Sequence, residues 1–147
     1  MQEKLKVLII DDHPLMRRGI KQLVELEENF EVVADVGSGT EGTSIAIQES
    51  PDLIILDLNM KGLSGLDTLK GLRAEGVDAR ILILTVSDAK NDIFTLIDAG
   101  ADGYLLKDTE PDVLLEQIKR IAQGEVILSD SIKNLLLERK HTVDPMD

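Results

Sequence analysis

The segment Leu53-Ile54-Ile55-Leu56-Asp57 decides the fold, because four apolar residues without a break end in a carboxylate. Such a run is typical of a central strand in a parallel sheet, where helices cover both faces. Three more short apolar runs also end in a reactive group: Val7–Ile10 before Asp11 and Asp12, Ile81–Leu84 before Thr85, and Tyr104–Leu106 before Lys107. The carboxyl ends of parallel strands share one edge of the sheet, so these side chains are expected to meet in one crevice.

Apolar strand-like runs alternate along the chain with amphipathic helical runs. Strands are predicted at 5–10, 31–36, 52–57, 80–85 and 102–106. Helices are predicted at 14–27, after Ser38, after Ser64, at 89–99 and at 110–123. Ser38 with Glu41 and Ser64 with Asp67 resemble capping boxes, and Thr109 with Asp112 is predicted to open the last helix in the same way. Gly100 and Gly124 are predicted to end helices. This alternation predicts an α/β fold, a doubly wound, flavodoxin-like sheet of five parallel strands in the order 2-1-3-4-5.

The bulk properties limit the class of protein. The chain has 147 residues, of which 43% are hydrophobic and 30% charged, so one domain with a full core is expected. Its net charge of −12 would repel a phosphate backbone, so direct nucleic-acid binding is not expected. It has no cysteine, which excludes disulfides and thiol catalysis. A signal-peptide pattern and a long apolar stretch are both missing from the sequence, and a cytoplasmic location is expected.

Asp11, Asp12 and Asp57 follow the first and third predicted strands, beside the point where the strand order reverses. Acidic residues often cap helices, and Asp12, just before His13 and Pro14, could equally have that role. Three carboxylates packed together repel each other unless a cation neutralises them. Mg²⁺ binds through one or two carboxylates and keeps waters that a phosphate can replace. The sequence therefore predicts a Mg²⁺ site in the crevice.

Lys107 and Thr85 follow the fifth and fourth predicted strands. Lys107 could be an ordinary surface lysine, and Thr85 alone could be a β-branched strand residue. Beside the carboxylates, Lys107 would supply a positive charge and Thr85 could donate a hydrogen bond to a phosphoryl oxygen. Asp57, held next to Mg²⁺ and Lys107, could then attack a phosphoryl donor and form an aspartyl phosphate.

The set of Asp11, Asp12, Asp57, Thr85 and Lys107 resembles the receiver domain of two-component response regulators, over residues 5–124. Three longer strings are similar to the NarL/FixJ subfamily, and within it to nitrate- and nitrite-responsive transcription regulators: 11–19 (DDHPLMRRG), 56–62 (LDLNMKG) and 100–108 (GADGYLLKD). The resemblance implies a CheY-like fold and phosphorylation of Asp57 by a sensor histidine kinase. It implies slow loss of the phosphate rather than the turnover of an enzyme.

The same resemblance implies roles for individual residues. The implied Mg²⁺ ligands are Asp12, Asp57, the backbone carbonyl of Asn59, and Asp11 through a water. Lys107 and Thr85 would contact the phosphoryl group. Thr85 and Tyr104 would form a switch, although the position of Tyr104 alone indicates an ordinary half-buried strand residue.

Two positions depart from the pattern of many receivers, because Lys61 and Asp108 stand where proline is common. The bond between the lysine and that second proline is typically cis in receivers. A cis bond before a non-proline residue costs about 2.5–4 kcal/mol. The sequence therefore leaves the isomer of the 107–108 bond open.

The chain divides into a receiver over 1–124 and a second segment over 125–147. That segment has a short apolar piece at 125–128, a predicted helix at 129–140 and a polar tail. The resemblance implies that it begins the linker to a C-terminal DNA-binding domain, and a receiver that ends naturally here is the alternative. The implied partners are a sensor histidine kinase, a second receiver through the 89–123 surface, and DNA only through the further domain; no membrane partner is expected.

Two other classes of protein are less consistent with the sequence. Residues 37–42 spell the GxGxxG pattern of dinucleotide-binding folds, but they follow the second strand instead of the first, so these glycines are expected to serve turn geometry. A Mg²⁺-dependent phosphohydrolase with an aspartyl nucleophile would need a second acid where this chain has Asn59.

Overall fold

A computed structural model describes residues 4–60, 62–85, 90–125 and 127–128 of the chain. The described residues form a parallel sheet with helices on both faces. The strands are β1 (Leu5–Ile10), β2 (Phe30–Val36), β3 (Leu53–Asp57), β4 (Arg80–Thr85), β5 (Gly103–Leu106) and β6 (Ile127–Leu128). The helices are α1 (Pro14–Glu25), α2 (Gly39–Glu49), α3 (Gly65–Ala74), α4 (Lys90–Asp98) and α5 (Pro111–Ala122).

The strands lie in the order β2-β1-β3-β4-β5-β6, and every pair is parallel. The predicted doubly wound sheet with the order 2-1-3-4-5 is confirmed. The two residues of β6 extend it beyond β5, where the sequence indicated only a short apolar piece. The predicted helix over 129–140 and the tail lie outside the described residues.

The sheet is held by two apolar layers, one on each face. All five residues of β3 are buried, and they alternate between the layers. Ile54 and Leu56 pack on the side of α2, α3 and α4. Leu53 and Ile55 pack on the side of α1 and α5. Each fully buried Leu or Ile contributes about 1.5–3 kcal/mol, so this strand, whose last residue is Asp57, is a rigid support.

Two helix starts agree with the predicted capping boxes and one does not. Ser38 accepts a hydrogen bond from the Glu41 N–H, and Ser64 accepts one from the Asp67 N–H. The predicted cap at Thr109 is wrong, because the N-cap of α5 is Glu110, without a side-chain hydrogen bond. The Thr109 hydroxyl instead donates to the Leu106 carbonyl at 2.8 Å, which closes the turn after β5.

Gly39 and Gly42 of the GxGxxG string serve close packing, so the expected role in turn geometry is wrong for these two glycines. A Cβ on Gly39 would collide with Thr68 of α3, and one on Gly42 would collide with Ile10 of β1. Neither glycine has a positive φ. The string also follows β2, at the edge of the sheet, away from the strand reversal. This placement excludes the dinucleotide-binding interpretation of the motif.

Gly100 and Gly124 end α4 and α5 as predicted, with φ values of 109° and 102°. None of the helices described here has the length and apolar character needed to cross a bilayer.

Candidate functional site

The carboxyl ends of β1, β3 and β5 bring three of the predicted site residues into contact. The Lys107 ammonium lies 2.9 Å from Asp57 Oδ1 and 3.5 Å from Asp11 Oδ2. All three side chains are buried, and that of Lys107 is only 7% exposed. Lys107 is therefore not an ordinary surface lysine, and its charge is directed at the two carboxylates as predicted.

His13 and Asp12 complete the acidic crevice. His13 Nδ1 lies 3.1 Å from Asp12 Oδ1, 3.1 Å from Asp11 Oδ1 and 3.5 Å from Asp57 Oδ2. The N-cap of α1 is His13, without a side-chain cap, so the alternative that Asp12 caps this helix is wrong. The sequence analysis missed His13 as a site residue. The available signal was its place directly after two acids at the end of a strand.

Arg17 is a second residue that the sequence analysis missed. Its Nη1 donates to the Asp11 carbonyl at 2.7 Å, and its Nε donates to Asp35 Oδ1 at 3.2 Å. Because Arg17 is on the first turn of α1 and Asp35 is on β2, this side chain ties the loop that carries the acidic pair to the neighbouring strand. Its position one helical turn after His13 was the only indication.

Asn59 connects Asp57 to Thr85. The Asn59 N–H donates to Asp57 Oδ1 at 3.2 Å, and its side-chain amide donates to Thr85 Oγ1 at 3.3 Å. Thr85 ends β4 and is fully buried. Its hydroxyl therefore takes part in the hydrogen bonds of the site, so Thr85 is more than a β-branched filler of the strand.

Tyr104 is on β5, three residues before Lys107. It is opposite Ile83 of β4, two residues before the pairing of Thr85 with Leu106. Its side chain is 0% exposed and packs in the same apolar layer as Ile83 and Leu96. The expectation of a half-buried residue is wrong, since Tyr104 points completely into the protein.

Burial sets the electrostatics of the crevice. Desolvation raises the pKa of the Asp57 carboxyl above its ordinary value, and the nearby Asp11 charge raises it further. The hydrogen bond and charge of Lys107 and the Asn59 N–H oppose that increase in the pKa. One ammonium against three carboxylates leaves a net negative charge when the imidazole is neutral.

The arrangement also meets the chemical requirements of a cation site. Asp11 Oδ2 and Asp57 Oδ2 are buried and accept no hydrogen bond from the described residues. One ligand atom from each of Asp11, Asp12, His13 and Asp57 lies within 4.8 Å of the others. A divalent cation would satisfy the orphaned oxygens and remove the excess negative charge. These four residues could therefore hold a metal ion, with Lys107 beside it.

The loop after Lys107 has an ordinary backbone. The described residues contain no cis peptide bond, so the bond between Lys107 and Asp108 is trans.

The sequence that forms this crevice and its sheet matches the model of a known protein family. Residues 7–119 match the response regulator receiver domain, which is more than half of the chain. The chain belongs to the response regulator receiver domain family, and it is the receiver part of a two-component signalling protein.

Relatives specify the resemblance further. Over its full length, the chain is 88% identical to a nitrate/nitrite response regulator protein homolog of Haemophilus influenzae, of which it spans 71%. It is 57% identical over 135 residues to the nitrate/nitrite response regulator protein NarP of Escherichia coli K12, of which it spans 63%. The predicted similarity to this group of the NarL/FixJ subfamily is confirmed.

Solved structures agree with the fold. A two-component response regulator of the LuxR family from Aurantimonas is 28% identical, with a TM-score of 0.86, and the match covers 95% of this chain and 99% of that one. The signal receiver domain of a putative response regulator NarL from Mycobacterium tuberculosis is 27% identical, with a TM-score of 0.80, covering 84% and 100%.

Proposed function

We propose that this receiver accepts a phosphoryl group on Asp57 from a sensor histidine kinase, and that it thereby controls a transcription regulator that responds to nitrate and nitrite. One observation carries the proposal: Asp57 Oδ1 is held 2.9 Å from the Lys107 ammonium, while its buried Oδ2 accepts no hydrogen bond. Lys107 thus holds the carboxylate in place, and Oδ2 is left to the crevice, where the cation and the phosphoryl donor would meet. The names of the relatives support the nitrate/nitrite assignment.

The reaction follows from these positions. One oxygen of the Asp57 carboxylate attacks the phosphorus of the donor, an O–P bond forms, and the N–P bond of the donor phosphohistidine breaks, leaving the histidine with the electron pair. Lys107 stabilises the negative charge that collects on the phosphoryl oxygens. Slow attack of water on the acyl phosphate returns the free carboxylate, so the receiver is not a turnover enzyme.

Mg²⁺ is the proposed cofactor of this step. Asp12 and Asp57 would hold it with their carboxylates, Asn59 with its backbone carbonyl, and Asp11 through a water. The bound ion would neutralise carboxylate and phosphoryl charge. The two orphaned oxygens and the excess of negative charge support this site.

Thr85 and Tyr104 are proposed to pass the phosphorylation signal on. The phosphoryl group adds about −1.5 to −2 charge and strong acceptors, which would compete with Asn59 for contact with the Thr85 hydroxyl. Thr85 pairs with Leu106 of β5, and Tyr104 lies two residues before Leu106 on that strand. Movement of Thr85 would therefore change the space in which the Tyr104 ring packs. The surface over 89–123 would then change shape and become available to a second receiver.

The remaining partners are proposed for a longer protein that would contain this receiver. The chain spans less than two thirds of NarP, and a C-terminal DNA-binding domain is proposed to follow the linker that begins within 125–147. DNA would be contacted only through that domain, and no membrane partner is proposed.

Intact-mass spectrometry after incubation with Mg²⁺ and acetyl phosphate tests the proposal. The wild type should gain one phosphoryl group, and Asp57→Asn or chelation of Mg²⁺ should prevent this gain. Asp52→Asn is the matched control, because Asp52 lies just before the opposite end of the same strand, where its carboxylate accepts the Lys6 N–H. Full labelling of Asp57→Asn would refute the assignment.

A further inference from the structure

His13 stands out in the acidic crevice because its ring nitrogen lies close to all three carboxylates. Nδ1 lies within 3.5 Å of an oxygen from each of Asp11, Asp12 and Asp57. The rest of the imidazole faces outward, since the side chain is 60% exposed. Nδ1 therefore already lies among the carboxylates, and the ring would not have to rotate to reach a cation bound there.

The spacing suits a metal ion and not only a hydrogen bond. With bonds of about 2.1 Å, two neighbouring ligands of an octahedral ion are about 3 Å apart and two opposite ligands about 4.2 Å apart. The distances from Nδ1 to Asp11 Oδ1 and Asp12 Oδ1 are both 3.1 Å. The distance to Asp57 Oδ2 is 3.5 Å, between the two ideal values. One ion can thus contact the nitrogen together with Asp12 and Asp57, the two carboxylates proposed as direct ligands.

A second, independent feature indicates a ligand at this place. Asp11 Oδ2 and Asp57 Oδ2 belong to side chains that are no more than 2% exposed, and neither atom accepts a hydrogen bond from the described residues. Within this part of the chain, a hydrogen bond to His13 accounts for only one oxygen of Asp11. The two oxygens therefore have ion-pair contacts of 3.5 Å, with Lys107 and with His13, but no hydrogen bond from the described residues.

We propose that His13 is a nitrogen ligand of the divalent cation, so that this receiver binds borderline transition metals such as Ni²⁺ and Zn²⁺ more tightly than a site made only of oxygens would. Mg²⁺ prefers oxygen ligands, whereas imidazole suits Ni²⁺, Cu²⁺ and Zn²⁺, whose affinities rise along the first row. His13 would then add little to Mg²⁺ binding and much to Ni²⁺ binding. The inference rests on the metal site of the proposed function.

Calorimetric titration of the chain with MgCl₂ and with NiCl₂ tests whether His13 contributes more to Ni²⁺ binding than to Mg²⁺ binding. His13→Phe keeps a flat ring and removes the nitrogen. It should weaken Ni²⁺ binding by about tenfold or more, a loss that even an outer-shell partner of a metal ligand can cause, and it should weaken Mg²⁺ binding by a much smaller factor. The chain has only two histidines, so His141→Phe is the matched control and should change neither affinity. Circular dichroism checks that each variant is folded.

Electron spin echo spectroscopy of the Mn²⁺-loaded chain gives a direct second measurement. The wild type and His141→Phe should show ¹⁴N modulation from a bound imidazole, and His13→Phe should not. Equal Ni²⁺ affinity of the wild type and His13→Phe, or loss of affinity in His141→Phe instead, would overturn the inference. The proposed function fails separately, if Mg²⁺ neither binds nor supports labelling of Asp57.

Discussion

Asp57 ends a strand whose other four residues are apolar, so few groups can stabilise its charge. Lys107 and the Asn59 N–H both contact Oδ1, and they leave Oδ2 to the crevice. Burial nevertheless has the largest effect on the pKa of this carboxyl, and it raises that pKa above its ordinary value. The charged form of this carboxyl is thus unfavourable for folding when no cation is bound.

The raised pKa of Asp57 predicts how the metal-free domain responds to pH. Above the ordinary carboxyl value of 3.8, the folded chain holds this proton more tightly than the unfolded chain does. Its contribution to stability is therefore complete below that value and is lost as pH rises through the folded pKa. With a chelator present, Asp57→Asn should unfold at higher urea than the wild type at pH 7.5.

That difference should shrink as the pH is lowered toward 4, because the wild-type carboxyl then becomes neutral as well. The measurement is a pair of urea melts at each pH. If the stabilisation caused by Asp57→Asn instead grew as the pH was lowered, the pKa of Asp57 would not be raised in the folded chain.

Thr85→Ala should separate phosphorylation from its consequence. The substitution leaves Asp57 and Lys107 in place, so labelling by acetyl phosphate should remain close to that of the wild type. The reduction in amide hydrogen exchange expected around β5 on phosphorylation should be lost, since Tyr104 no longer receives a signal. Thr68→Ala is the control: Thr68 is equally buried but donates to the Ser64 carbonyl in α3. A normal exchange response in Thr85→Ala would show that the signal takes another route.

At the scale of elements, α3 begins directly against the end of β3. The Gly65 N–H donates to the Leu58 carbonyl at 3.1 Å. A Cβ at Gly65 would lie 2.6 Å from the Asp57 carbonyl oxygen and 2.6 Å from Leu58 Cα. These are backbone atoms of the loop that carries the site, so they cannot move without displacing it.

Two glycines of this helix therefore predict opposite effects on stability. Gly65→Ala should destabilise the domain by about 1–3 kcal/mol, as overpacking does. Gly71→Ala should stabilise it by about 0.5–1 kcal/mol, because nothing lies within 4 Å of the added methyl and alanine loses less entropy in a helix. Urea denaturation of both variants measures the free energy of unfolding, and equal effects would refute the proposed close approach.

The secondary-structure elements were predicted best where both faces of a strand are buried, because such a strand must be apolar throughout. The apolar runs of β1, β3 and β4 indicated strands within a residue of their observed bounds, because both faces of these strands are covered. The start of α5 was predicted wrongly, since Thr109 uses its hydroxyl in the preceding turn. β6 has two residues and no periodicity to detect. His13 and Arg17 were missed because only the turn after β1 directs them at the crevice.

For the whole molecule, the charge of −12 sets a limit on what the chain can bind. A surface with this excess of acid repels a DNA backbone, and the proposed C-terminal DNA-binding domain would have to supply a basic surface for that contact. In a gel-shift assay, these 147 residues should leave promoter DNA unshifted, with or without phosphorylation. A longer product of the same gene should shift it once phosphorylated. Salt-sensitive binding by the 147 residues alone would overturn this expectation.

The burial of Tyr104 gives the protein a built-in optical probe. The chain has one tyrosine and no tryptophan, so its emission under ultraviolet excitation comes from a single phenol. That ring is fully enclosed, and a quencher such as acrylamide should reach it poorly. No label has to be introduced, and no second fluorophore overlaps the signal. Any rearrangement that opens the packing around the ring can thus be followed in real time by the lifetime and quenching of this one residue.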